Sequence, residues 1–212
     1  DKIPTDALFK NQMISSYNHS IHDDPLVRAY LALAMGVTRD IFYSDALTDG
    51  LNDENRESRR AAIQSVGMIR ASNASKQLKE IIKNSDFPDE RLAATISLGL
   101  IGDDESIPML TSLLKDDEPN IQWDAAIALA KMGDSSGAFV IENLLDRKYL
   151  SSFPQVDESE KKQAILVAIE ASSLIKTQKF ETILISLAES DENLQIRDAA
   201  MKSLKATYNR VI

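Results

Sequence analysis

The 212-residue chain contains no cysteine, which removes thiol nucleophiles, thiolate metal sites and disulfides together. Glycine and proline are scarce, at seven and six residues, and so are aromatics, with six Phe, five Tyr and one Trp. Sandwiches and barrels need frequent turns, so this deficit points to a mostly helical chain. Positive charge is also short: 24 Lys and Arg against 33 Asp and Glu give a formal net charge of −9. A field of that sign repels phosphate backbones and anionic lipid, so nucleic acid is not expected as a partner. No run approaches the roughly 18 apolar residues of a bilayer-crossing helix, and no membrane span is expected. The chain opens Asp1-Lys2-Ile3-Pro4 without Met, which leaves room for a preceding signal, anchor or domain. Cytoplasm and bacterial envelope stand as equal alternatives, and no residue decides the oligomeric state.

What is present is a repeat. Pro88 to Asp117 superimposes on the segment from Pro119 at an offset of 31, with Ala94 on Ala125, Leu98 on Leu129, Gly102 on Gly133 and Leu113-Leu114 on Leu144-Leu145. Anchored on Arg91, the equivalents are Arg28, Arg59, Gln122, Ala164 and Arg197, at steps of 31, 32, 31, 42 and 33. Small or apolar residues follow each anchor at +3 and +7, the spacing of a helix face. A second apolar stripe follows, as in Leu78/Ile81/Ile82, Leu110/Leu113/Leu114 and Ile183/Leu187. Each copy therefore reads as two antiparallel helices. One pair cannot bury its stripe alone, so successive pairs must stack. The predicted fold is an all-α, right-handed solenoid of about six helix pairs over 24–212, the sixth ending after one helix. Residues 1–23 are expected to form a capping helix with Leu8, Phe9, Met13, Ile14 and Tyr17 turned toward the first repeat. Gly36, Gly67 and Gly99 are expected where neighbouring helices approach closely, and Gly102 and Gly133 at left-handed helix ends. Acids five residues before the anchors (Asp23, Glu54, Asp86, Glu192) are expected to pair with Arg28, Arg59, Arg91 and Arg197.

The run Arg91-Leu-Ala-Ala94-Thr-Ile-Ser-Leu98-Gly99-Leu-Ile101-Gly102-Asp103, continued by Ile107-Pro108-Met-Leu110-Thr-Ser-Leu113-Leu114, resembles the short HEAT-like repeat of the phycobilisome bilin lyase type. The resemblance covers about residues 24–205. It implies the solenoid fold, and it carries a bilin-lyase-like or chaperone-like accessory role as an alternative function. The His-Glu pairs of HEAT-repeat di-iron hydroxylases have no counterpart in this sequence. A HEAT-like DNA glycosylase would need a basic groove, which the net charge disfavours.

Few residues suggest chemistry. Asp49 to Asn55 is the most calcium-like stretch but lacks the alternating ligands of an EF-hand loop, and His19 and His22 have no further ligands in a motif. No nucleophile elbow or phosphate loop occurs, so no catalytic residue, metal or cofactor is assigned and the chain is not expected to be an enzyme. The leading expectation is a scaffold or adaptor that binds another protein on its concave face. Four second-helix positions read as outward-facing are the candidate contacts: Met109, Val140, Leu184 and Ile185. The others are Trp123, at a position where the copies vary, and Tyr149 and Phe153, in an insertion near 148–159 that lengthens the fourth step. The insertion's apolar groups could instead fold back to cover the fifth repeat, and Trp123 could pack between Leu92 and Ile165.

Overall fold

The computed structural model describes residues 5–19 and 24–210, and among these every regular element is helical. They form α1 (Thr5–His19), α2 (Pro25–Val37), α3 (Ser44–Asp49), α4 (Arg56–Met68), α5 (Ser75–Asn84), α6 (Pro88–Ile101), α7 (Ile107–Leu113), α8 (Pro119–Lys131), α9 (Ala138–Leu144), α10 (Arg147–Leu150), α11 (Glu158–Ile175), α12 (Gln178–Ser190) and α13 (Leu194–Tyr208). Helices α2, α4, α6, α8, α11 and α13 are the first helices of the repeats, and α3, α5, α7, α9 and α12 the second. The architecture is an all-α solenoid of helix-turn-helix repeats. It divides into two units, Asp1–Met109 and Leu110–Ile212.

In the first unit α2, α4 and α6 stack in order, with α3 and α5 against them. The apolar stripe of each first helix is buried: Ala32 and Met35 in α2, Ala62 and Val66 in α4, Ala94 and Leu98 in α6 are all fully enclosed. Serines hold the stack at close range. Ser58 Oγ donates to Pro25 O at 2.7 Å, Ser65 Oγ to Ala32 O at 2.8 Å and Ser97 Oγ to Ile63 O at 2.7 Å. Gly36 and Gly67 make that approach possible, as their spacing predicts. Gly102 and Gly133 are left-handed, at φ of 71° and 77°. Arg39 and Arg70, at the same repeat position, adopt that conformation too, both at φ 55°, although no glycine signals it.

The arginine ladder exists, but with other partners than the sequence suggests. Arg28 binds Asp53 through both Nε and Nη2, at 2.7 and 2.9 Å, with both side chains buried. Arg59 binds Glu90 at 2.6 Å, and Arg91 Nε donates to Ile82 O. Each carboxylate thus belongs to the following repeat, because the anchor side chain reaches forward across the joint. Glu54 and Asp53 offer Arg59 only backbone carbonyls, and Asp23 lies outside the described residues. At the first-helix starts Asp24 accepts from the Leu26 and Val27 amides, whereas Phe87 and Glu118 precede their helices without a side-chain cap.

Helix α1 departs from the expected cap. Tyr17 is buried, but Leu8 and Phe9 are exposed, at 53% and 59%. The helix is apolar on more than one side, so burying Tyr17 turns the other pair outward. Lys10, bridging Asp6 and Asp40, helps fix that orientation.

In the second unit α8, α11 and α13 carry the first-helix stack, α9 lies against α8 and α11, and α12 lies against α11 and α13. The expected insertion is only partly a loop. It holds α10, a turn, and the start of α11, whose N-terminus is closed by a capping box between Asp157 and Glu160.

Candidate partner-binding site

Three of the sequence-named contacts form one aromatic cluster in the second unit. The Trp123 ring meets Phe153 edge-on at a centroid distance of 5.1 Å, Tyr149 lies 5.1 Å from Phe153, and Trp123 Nε1 donates to Tyr149 Oη at 3.2 Å. Trp123 is buried, while Tyr149 and Phe153 are half-buried. The insertion therefore folds back to cover α8, satisfying the indole N–H as a buried tryptophan requires.

Val140 and Leu184 do not face outward. Val140 is 2% exposed and Leu184 is fully enclosed. The reason is the phase of each stripe. In α12 the buried set is Phe180, Leu184, Leu187 and Ala188, so Leu184 is the centre of the stripe rather than its flank. In α9 it is Val140, Ile141 and Leu144, because this seven-residue helix packs against both α8 and α11. Ile185 remains half-buried beside Leu184, and Met109, in the first unit, is also half-buried.

Three cavities lie beside arginine–carboxylate pairs. One of about 530 Å³ is lined by Tyr17, Arg28, Asp49, Asp53 and Glu54. A second of about 400 Å³ holds the Arg59–Glu90 pair, and a third of about 360 Å³ holds Arg147 and Asp191. The first two follow from the repeat geometry, whereas Arg147 of α10 supplies the arginine of the third. Burial pushes the Tyr17 phenol up to about 12, and it stays neutral there. Within the calcium-like stretch Asp53 is committed to Arg28, and Asn55 caps α4 by accepting from the Ser58 amide. His19 bonds Ser15 on its own helix, and His22 lies outside the described residues. Among the described residues no cluster of three or more His, Asp or Glu is arranged to hold a metal, and no helix is long and apolar enough to cross a membrane.

The exposed apolar groups that sequence reasoning missed lie elsewhere. Leu26, Val27, Tyr30 and Val37 on α2 are 55%, 43%, 66% and 72% exposed, and Phe139 on α9 is 50% exposed. The signal was available: α2 has one charged residue, Arg28, and that one is buried.

The stacked helix pairs define an all-α solenoid of helix-turn-helix repeats with a HEAT-like fold. A family model described as HEAT repeats matches residues 75–150. Among solved structures, the chain is similar to one from the complex of CpcE and CpcF of phycocyanin lyase from Nostoc sp. PCC7120. That match has a TM-score of 0.64 at 20% identity, covering 98% of this chain and 78% of that one. Human deoxyhypusine hydroxylase in complex with glycerol is also matched, with a TM-score of 0.45 at 16% identity over 99% of this chain and 92% of that one. No curated protein matches the chain.

Proposed function

We propose that this chain is a protein-binding scaffold acting as an accessory subunit of a bilin-lyase-type assembly, rather than a free-standing adaptor. The supporting observation is the likeness in fold, along nearly the whole chain, to a subunit from the CpcE and CpcF complex of phycocyanin lyase. Its task is to hold a protein, either a second repeat chain or a chromophore-bearing target, against the outward sides of its second helices. Of the contacts read from sequence, Ile185 and Met109 retain the exposure this role needs, with Tyr149 and Phe153 at the edge of their cluster. Val140 and Leu184, being buried, make no contact with the partner.

Crosslinking mass spectrometry in the native source tests the reading. The expected crosslinks run from Lys76 or Lys83 on α5 and from Lys179 on α12 to a second repeat chain or a bilin-bearing protein. Crosslinks solely to proteins outside both groups would sink the proposal. Ile185→Asp is expected to weaken the recovered complex about tenfold, the size of one well-packed apolar contact. Its circular dichroism should be unchanged.

A further inference from the structure

The apolar face of α2 occupies the position that, in the next two repeats, is covered by a preceding helix. Ser58, Ala61 and Ser65 of α4 are buried under α2, and Ala93 and Ser97 of α6 are buried under α4. The equivalent residues of α2 are Val27, Tyr30 and Ala34. All three are exposed, flanked by the exposed Leu26 and Val37. Spaced at 26, 30 and 37, with 27 and 34 beside them, they form one stripe centred on Tyr30. No charged residue interrupts it, although the chain carries 57 charged residues of the Lys, Arg, Asp and Glu types.

The stripe is also self-complementary. Asp24 stands at its N-terminal end, its Oδ1 capping the helix and its side chain in solvent. Arg39 stands at its C-terminal end, exposed and in no ion pair with any described residue. An antiparallel helix related by a two-fold axis near Leu31 and Ala32 sets Leu26 against Val37 of the second copy. The same axis sets Asp24 against its Arg39, and Tyr30 over Leu33 and the small Ala34. A large side chain over smaller ones, with opposite charges at both ends, is the arrangement an isologous interface requires. With a net charge of −9, two copies repel over most of their surface, and this neutral face is where contact costs least. We infer that α2 is a homodimer interface, in which a second copy of this chain lays its own α2 antiparallel across Tyr30. This goes beyond the scaffold reading and uses none of the residues assigned to it.

The absence of cysteine makes the test direct. Sedimentation equilibrium of the 212-residue chain should show the mass rising from 23.5 kDa toward twice that value as concentration increases over about 1–500 μM, the range a small apolar contact requires. Tyr30→Glu, at a side chain two-thirds exposed, should keep the circular dichroism spectrum and weaken association at least about tenfold. For orientation, a chain carrying Leu26→Cys is mixed with one carrying Val37→Cys and oxidised. The mixture should give a covalent dimer and either chain alone should not, because an antiparallel pair holds the two copies of position 26 about 16 Å apart. A constant 23.5 kDa mass across the range would overturn the inference. So would a Tyr30→Glu chain that associates as strongly as the original, or Leu26→Cys alone crosslinking as well as the mixture.

Discussion

Ser65 lies so close to Gly36 that a β-carbon on the glycine would fall 2.6 Å from its Oγ and 2.9 Å from its Cα. The same hydroxyl donates to Ala32 O, and Ser97 repeats the arrangement against Gly67 and Ile63 O. Gly36→Ala and Gly67→Ala are each expected to destabilise the chain by about 1–3 kcal/mol, because backbone as well as side chain must shift to admit the methyl. Helix propensity alone would give the opposite sign, roughly 1 kcal/mol of stabilisation. Urea unfolding distinguishes them, and a raised midpoint would mean the helices do not approach this tightly.

The Arg28–Asp53 pair should be costly to break on one side. Its side chains are 6% and 8% exposed. Asp53→Ala takes the bidentate carboxylate away from a buried guanidinium, with an expected loss of about 3–5 kcal/mol. Arg56 pairs with Asp89 in the open, the two side chains 47% and 39% exposed, so Arg56→Ala is expected to cost less than about 1 kcal/mol. Comparing the two denaturation midpoints decides the matter, and equal losses would contradict the burial argument.

Arg70 ends α4 in a left-handed conformation, with the Ala71 amide donating back to Val66 O. Gly133 plays that part after α8, where the Asp134 amide donates to Leu129 O. Arg70→Gly removes the steric penalty of a β-carbon at positive φ and is expected to stabilise by about 1 kcal/mol. Gly133→Ala should destabilise by a similar amount. Calorimetric Tm values moving in the same direction for both would refute the explanation.

Asp124 provides a pH dependence of unusual sign. Burial pushes its carboxyl up to about 6, with Lys131 opposing the shift only in part. The unfolded chain holds an Asp near 3.9, so over the interval between about 4 and 6 the folded state binds more protons and stability rises as pH falls. Asp124→Asn is expected to raise Tm near pH 7.5 and to flatten the curve in that interval. Asp191 has the ordinary sign: Arg147 holds it below the usual carboxylate range, so its contribution is present above about pH 3.9 and is lost only as more acidic solution protonates it. Thermal melts between pH 4 and 8 are the measurement, and identical slopes for the parent and Asp124→Asn would dismiss the role of Asp124.

Much of this was readable from residue order alone. Recurring Ala, Leu and Gly positions at steps of 31 to 33 impose amphipathic helices that cannot bury their stripes singly, and that requirement leads directly to a stacked solenoid. The close glycines and the left-handed Gly102 and Gly133 follow from the same register. Repetition could not give the phase of a short stripe: Val140 and Leu184 became core because neighbouring helices cover α9 and α12 from two sides. It could not give the partners of the arginine ladder either, since a side chain that reaches into the next repeat meets residues about 25 to 31 positions away. Tyr149 and Phe153 closing over Trp123, and the bare stripe of α2, likewise depend on which surfaces remain after packing. The absence of cysteine excluded thiol chemistry, and the shortage of glycine, proline and aromatics together with the repeat pointed to the helical fold; only the tertiary structure decided which apolar residues hold it together and which are left exposed, because burial belongs to the arrangement of helices and not to any one of them.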